Sequence, residues 1–477
     1  MKHANTMQSH ALRTLALSVL TVAVLGGCAA KNPALDLPAF KFPERFYTGS
    51  EGAEAGAQDT SKSLAELGWK HIYTDAPLQQ LIAQALDAGP DALLAAARVR
   101  EAQALASAVR SGSLPQVGVA LNTSAAALRS GQNLSSTFLG GLSVSWEMDL
   151  WGRYASASSA ARFDLMGREA SRNAIQASLV ANTASLYYQL AYLRELLVVT
   201  QRAANNQREV LTLVNRLSAG GVASAAEVRQ QESVVASTAV RVPAIRRQIA
   251  ETENALSILV GSIPGTLRFD LPASLSLLPI PPSGLPSNLL ERRPDLRQAV
   301  AQMQAANARV NEAKAQFFPS ISLTGLFGGV SSTLADVLSG QAARVASLGP
   351  NVLLPLYTGG ALPANRDAAL ARLDQSLIGY RKSVLGALGE VADALVAYST
   401  SAEVLELQGQ RLRASREVQR LAEKRFSAGT TSFVEVLDAQ RQLLSAETDA
   451  VQSLLERRLG LVRLYLALGG GWPPDPQ

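Results

Sequence analysis

The chain has 477 residues, a formal net charge of +5, and a composition that is 47% hydrophobic but only 5% aromatic and 17% charged, the balance of long packed helices. Its basic residues are dispersed among acidic ones, which excludes the basic stripe of a nucleic-acid-binding surface. One cysteine excludes an internal disulfide, and the only histidines, His3, His10 and His71, leave no metal-ligand cluster, nucleophile–base pair or phosphate loop, so no enzyme activity, metal site or cofactor is expected.

Lys2 and Arg13 make a basic n-region ahead of a short apolar run, Leu15 to Leu25, followed by Leu25-Gly26-Gly27-Cys28. The run is too short to span a membrane and has the form of a signal peptide. It resembles a lipobox, which implies removal of residues 1–27 and acylation of Cys28, with Ala29 rather than an acidic residue next to it implying outer-membrane sorting. An ordinary secretory signal with a chance cysteine is the alternative. Residues 28–76 then form a lipidated N-terminal arm, Pro- and Gly-rich at first. Beyond residue 30 no window has 18 or more apolar residues, so any membrane crossing must be made by strands, and strands in lipid must close into a barrel.

A first helix is predicted from Pro90 to Gly112, then strands near Gln116–Ala125 and Gly141–Leu150. In the second strand Leu142, Val144, Trp146, Met148 and Leu150 alternate with Gly141, Ser143, Ser145, Glu147 and Asp149, the period of a strand. Its length matches the roughly 9–11 residues that a tilted strand needs to cross a bilayer. At Trp151-Gly152 the period changes to that of a helix, expected over Gly152–Ser218, with a return helix over Ser224–Val260 bent by Pro243. These elements make a first repeat, 77–263. A Pro-rich linker, 264–288, leads to a second repeat, 289–470, and a tail, 471–477. The second repeat is expected to contain a helix over Leu289–Gln316, strands near Ser320–Gly328 and Leu348–Leu356, a long helix over Ala364–Ala428 and a return helix over Ser432–Leu468. Pro350 and Pro355 weaken its second strand.

The repeat is visible residue by residue. Pro90-Asp91 matches Pro294-Asp295 (294 − 90 = 204), Tyr188 matches Tyr398 (398 − 188 = 210), and RLSAG from Arg216 matches RFSAG from Arg425 (425 − 216 = 209). A near-constant offset over such a distance indicates internal duplication. Helices of this length reach on the order of 100 Å, far beyond a membrane core of about 30 Å, so beneath outer-membrane strands they must project into the periplasm. Four strands cannot close a barrel, since the smallest single-chain barrels use about eight. The chain is therefore expected to oligomerise around a rotation axis.

The duplicated strand–strand–long-helix unit, the WEMDLWGR junction, the RFSAGTTSFVEVLDAQRQLL turn and the LYLALGGGW ending together resemble TolC-like outer-membrane efflux channels, most closely the lipid-anchored branch. The resemblance implies a mainly α fold with membrane β: an internally duplicated protomer, four strands from each of three copies in a twelve-stranded β-barrel, and an α-barrel of helices. It implies a passive channel exporting drugs and other small toxic compounds. Its partners would be two further copies of itself, a periplasmic membrane-fusion adaptor, an inner-membrane pump of the resistance–nodulation–division (RND) type, and outer-membrane lipid. An exit duct for protein secretion or heavy-metal efflux, and a non-conducting periplasmic scaffold, remain alternatives.

The resemblance also carries site residues. A periplasmic gate is implied at Asp438 and Arg441 in Leu437-Asp438-Ala439-Gln440-Arg441, with Val434 narrowing the pore and Phe426 standing where relatives usually carry tyrosine. An ion pair along one wet helix face is the alternative for Asp438 and Arg441. Adaptor docking is implied at two helix-to-helix turns, one with Arg216, Ser218, Gly220, Gly221 and Ser224, the other with Arg425, Ser427, Gly429 and Ser432. Ser224 and Ser432 are expected to cap the return helices. Leu142, Val144 and Trp146 are expected to face lipid and Ser143, Ser145 and Glu147 the lumen, with Trp146, Trp151 and Tyr357 at the periplasmic interface.

Overall fold

The computed structural model describes residues 68–126, 135–269 and 292–470. The signal, Cys28, most of the N-terminal arm and of the Pro-rich linker, and the C-terminal tail lie outside them. The described chain falls into two units.

The first unit is built on an antiparallel sheet of order β1-β2-β3-β4, with β1 Gln116–Ala126, β2 Ser135–Met148, β3 Ser320–Ser331 and β4 Ala343–Leu353. The register sorts its residues into two faces. Val117 pairs with Val144, Val119 with Leu142, Leu142 with Phe327, Trp146 with Leu323, and Gly325 with Leu348. On the opposite face Gly118 pairs with Ser143, Ser145 with Thr324, Glu147 with Ser322, and Ser322 with Asn351; Leu326 is an apolar member of that face. One face is thus apolar on all four strands, and it is open, with Val119 84% exposed and Leu348 74%. Pro350 sits within β4, an outer strand of the chain's own sheet, the place where a proline is tolerated.

Strand ends differ from the sequence expectation in explicable ways. β2 begins at Ser135, because residues 135–140 pair with 121–126 although they do not alternate. It ends at Met148 rather than Leu150, because Asp149 is drawn off to the following helix, as described below. β4 ends at Leu353, before Pro355, and starts five residues earlier than expected, at Ala343 (348 − 343 = 5).

The second unit is helical. In chain order the helices are α1 Trp69–Ile72, α2 Ala76–Ala88, α3 Pro90–Ser111, α4 Arg153–Ala219, α5 Ala225–Ala239, α6 Arg241–Leu259, α7 Pro294–Ala315, α8 Leu334–Ser339, α9 Ala361–Ser427 and α10 Phe433–Ala467. α8 and the first turns of α4 and α9 belong to the sheet unit, as do the C-terminal parts of α3 and α7. Both long helices run 67 residues. α9 starts three residues before the expected Ala364, since Pro363 in its first turn lacks only an N–H that has no acceptor within the helix. The first return helix is interrupted at Val240 (φ −64°, ψ −22°), three residues before Pro243 (243 − 240 = 3). Pro243 cannot donate to residue 239, and its ring crowds that carbonyl.

The core of this unit joins both repeats. Ile72, Tyr73, Leu78 and Ile82 of the N-terminal helices pack on Tyr187 and Tyr188 of α4, Val391 of α9, and Leu461, Leu464 and Tyr465 of α10. Tyr73 meets Tyr465 edge-on, ring centres 5.9 Å apart. Burial, with the nearby Asp75 carboxylate adding to it, pushes the Tyr187 phenol up to about 12. Beside this core the buried Arg293 guanidinium donates to Asp295 (2.8 Å), Glu390 (2.6 Å) and the Ala467 carbonyl (2.9 Å), tying the start of α7 to α9 and to the end of α10.

Candidate functional site

Two places carry the sequence-predicted residues: the strand-to-helix junction in the sheet unit, and the two helix-to-helix turns in the helical unit.

At the junction nearly every residue from Trp146 to Arg153 has a task. The Trp146 ring N–H donates to the Ser113 carbonyl (3.0 Å), and the Trp151 ring N–H to the Pro319 carbonyl (2.7 Å). Trp151 also stacks on Phe318, centres 5.0 Å apart. Gly152 takes a left-handed φ of +72° and has no side chain to cap α4. Asp149 does so from three residues back. Its carboxylate accepts the backbone N–H of Tyr154 (3.1 Å) and of Ala155 (2.7 Å), two of the four orphan donors at the helix start. Glu147 accepts from Arg153 (2.7 Å) and from the Tyr154 hydroxyl (3.1 Å). The sequence expectation placed Glu147 on the sheet's polar face, where its register puts it, but gave no role to Asp149. Tyr357, following β4 at the same end of the sheet, is 90% exposed.

The two turns are built differently. In the first, Gly220 donates to the Arg216 carbonyl and Gly221 to that of Ser218; Gly221 has φ +78°. Ser224 forms a full capping box with Glu227: the Glu227 carboxylate accepts the Ser224 N–H at 2.6 Å and the Ser224 hydroxyl accepts the Glu227 N–H. In the second turn Gly429 has φ +71°. Ser427 bonds back to the Lys424 carbonyl, and Ser432 takes the N-cap position without a side-chain hydrogen bond. Glu435, three residues on, does not complete a capping box either: instead of reaching back to the Ser432 N–H, its carboxylate accepts from Arg425 (2.9 Å) and from the Thr431 hydroxyl, locking the end of α9 to the start of α10.

Behind the turns lies one apolar cluster. Val214 of α4 meets Ala422 of α9 and Phe433, Val436 and Ala439 of α10, with Val228 of α5 and Phe426 packed against it. Phe426 and Phe433 lie 5.2 Å apart. The structure thus places Phe426 in the contact between hairpins, with Val434 pointing outward, 63% exposed. Asp438 and Arg441 are brought together within α10: the Arg441 guanidinium donates to Asp438 at 2.5 Å, and Gln442 donates to the other carboxylate oxygen. Arg441 spends one donor of five in this way, and its side chain remains 82% exposed.

The outer membrane efflux protein family model matches this chain twice, over residues 81–262 and 285–470. The chain belongs to that family. Among its relatives are the probable efflux pump outer membrane protein TtgC of Pseudomonas putida, 32% identical over 475 residues and covering 96% of each chain, and the pyoverdine export outer membrane protein OpmQ of Pseudomonas aeruginosa, 33% identical over 473 residues, covering 97% of this chain and 98% of that one. A solved structure of the open state of the Neisseria gonorrhoeae MtrE outer membrane channel superposes with a TM-score of 0.81 at 30% identity, over 94% of this chain and 99% of that one.

An outer membrane efflux protein is a transport component of the outer membrane, and the fold class is that of the TolC-like channels, mainly helical with a few strands and a duplicated unit. The two family matches coincide with the two repeats. Within this family fold the Asp149 cap and the Glu435 lock are features that sequence reasoning missed. Glu435 had a readable signal, since a glutamate three residues after Ser432 is the spacing of a capping box; the competing arginine ten residues upstream (435 − 425 = 10) is apparent only in three dimensions.

Proposed function

We propose that the protein is the passive exit duct of a tripartite efflux pump, without chemistry of its own, exporting drugs and other small toxic compounds. The sheet carries this reading: four strands of membrane length with one continuous apolar face, and β1 and β4 left as edges in the described chain. In lipid such edges must be paired, and three copies around one axis supply a closed barrel of twelve strands. Val117, Val119, Leu142, Val144 and Phe327 then face lipid, and Ser143, Ser145, Glu147, Thr324 and Asn351 line a polar lumen. Trp146, Trp151 and Tyr357 mark the periplasmic interface, and acylated Cys28 adds a lipid anchor.

In the same reading the two turns receive the hairpins of a periplasmic adaptor, which links the trimer to an RND-type inner-membrane pump. Val434, Asp438 and Arg441 close the duct at rest. The ion pair inside α10 neutralises each Asp438, and the unused Arg441 donors reach the neighbouring copy. The test is single-channel recording of the purified full-length protein in a planar bilayer. Wild type should conduct poorly, and Asp438→Ala with Arg441→Ala several-fold better, with matching sensitisation of cells to vancomycin-sized antibiotics. A double variant that assembles but conducts no better than wild type removes the gate assignment. One that does not conduct at all removes the channel reading in favour of a scaffold.

A further inference from the structure

Beside the gate segment, glutamines occupy positions where apolar side chains would pack more cheaply. Gln207 of α4, Gln231 of α5 and Gln440 of α10 are only 4%, 0% and 5% exposed. Gln231 donates its amide N–H to the Gln207 carbonyl at 2.8 Å. The other polar atoms are less well served. Neither Nε2 nor Oε1 of Gln440, nor Oε1 of Gln207 or of Gln231, has a hydrogen-bond partner among the described residues, yet all four atoms are sealed from solvent. Gln207 and Gln440 line the same cavity of about 40 Å³, walled also by Arg202, Asn206, Gln419, Leu443, Leu444 and Glu447.

Bare amide atoms in a protein interior are costly, and they are paired in nearly all folded proteins. A neighbouring copy cannot pair these, because they already lie inside one protomer's own helices. A cavity of this size exceeds the roughly 10–15 Å³ that one water requires, and a buried water needs two to four polar partners. Gln207 Oε1 accepts from such a water, while Gln440 both donates and accepts.

We propose that Gln207 and Gln440 hold ordered water between the two hairpins, and that this hydrated contact sets the resting position of the helical turn bearing Asp438 and Arg441. The flanking chemistry gives the contact its meaning. Val436 and Ala439 pack dry in the apolar cluster against Val214, a contact with one good geometry. One residue further on, the Gln440 contact runs through a mobile intermediary, so α10 can shift against α4 with its hydrogen bonds remade at each step. Gln440 is thereby a positioning residue for the gate.

The test is a double-substitution cycle on the full-length trimer, Gln207→Leu and Gln440→Leu, read by backbone amide exchange over residues 436–444. Each single change strands the polar atom opposite, and should speed exchange about tenfold. The double change removes both ends, and should return exchange to within about threefold of wild type. Singles that slow exchange, with effects that add in the double, would mean the cavity is dry and would overturn the proposal. Conductance is the second readout: resting conductance should rise in each single and fall back in the double. Coupled exchange with unchanged conductance overturns the gate-positioning half. The conductance arm rests on the channel reading, whereas the exchange arm stands without it. Should the Leu variants fail to assemble, a high-resolution crystal structure of the wild-type trimer decides the matter: ordered water within hydrogen-bonding distance of Gln207 and Gln440 is expected, and an empty cavity there would sink the idea.

Discussion

The crossing of β2 and β3 offers the sharpest test of the sheet. Gly140-Gly141 lies opposite Gly328-Gly329, and here the two backbones approach more closely than any side chain allows. A Cβ at Gly328 would stand 2.0 Å from the Gly140 carbonyl oxygen and 2.6 Å from the Gly141 Cα; one at Gly141 would stand 2.4 Å from the Phe327 oxygen. These are backbone atoms, so no rotamer relieves the overlap, and the strands must part by about 1 Å or more to regain ordinary contact. Overpacking alone costs about 1–3 kcal/mol, and each ladder hydrogen bond stretched open adds about 1 kcal/mol. We expect Gly328→Ala to cost about 3–5 kcal/mol per copy, enough to deplete assembled protein in the outer membrane and lower its thermal dissociation temperature. Gly349 provides the control: it lies in the same sheet with nothing within 4 Å of its would-be Cβ, and Gly349→Ala should stay within about 0.5 kcal/mol. The assay is heat-modifiable gel mobility of outer-membrane protein over a temperature series. Equal behaviour of the two variants would refute the close approach.

Asp149→Ala removes the cap of α4 and should cost about 1 kcal/mol, seen as a lower melting temperature, whereas Asp149→Asn, with one acceptor oxygen for two backbone N–H groups, should recover only part of it. Tyr187 titrates at about 12 rather than 10 in the folded chain; its stabilising contribution is therefore complete below pH 10 and lost as pH rises through 12, since the unfolded chain gives up the proton first. Its hydroxyl has no partner among the described residues, so Tyr187→Phe should leave melting near pH 7 unchanged and move the alkaline unfolding midpoint, followed by circular dichroism, upward. Cysteines placed at 143 and 145 should react with a water-soluble thiol reagent entering the pore, and those at 142 and 144 should not; the reverse pattern would place the strand in the other register. Cys28→Ser should abolish labelling by radioactive palmitate, and undiminished labelling would remove the lipid anchor.

Much of this fold is written in local periodicity. The alternation through Leu142, Val144 and Trp146 fixed a strand and its faces, and the matching RLSAG and RFSAG segments fixed the duplication and both turns. What stayed hidden depends on partners distant in sequence or on competition among near ones. Ser432 holds the cap position with the spacing of a capping box, but the Glu435 carboxylate that would complete the box is claimed by Arg425 and Thr431. Phe426 is named by the resemblance as a substituted gate aromatic; that it packs on Phe433 across its own hairpin, beside a cluster that includes Val214, is visible only in three dimensions. Arg293 gives no signal in sequence at all, since Glu390 and Ala467 lie 97 and 174 residues away.

Duplication supplied two hairpins of similar length, and the side chains have since made them mechanically unequal. In the second, α10 runs 35 residues without interruption, and arginines on α9 reach carboxylates on or near α10 at three heights: Arg425 to Glu435, Arg416 to Glu447 and Arg411 to Asp449. Singly, such exposed pairs contribute about 0–1 kcal/mol. Spaced along one antiparallel seam they oppose sliding, because any shift along the axis breaks all three together. In the first hairpin, among the described residues, the counterpart is Arg194 to Glu253, and its return helix is divided at Val240. A divided helix bends at low cost where an undivided, cross-linked one moves as a rod. On the proposed reading, in which the second hairpin carries the gate, its motion is then a displacement of the whole hairpin against the first. The contact between them combines a dry cluster around Phe433 with the polar cavity at Gln440, and the polar part is the one that can be remade in more than one position.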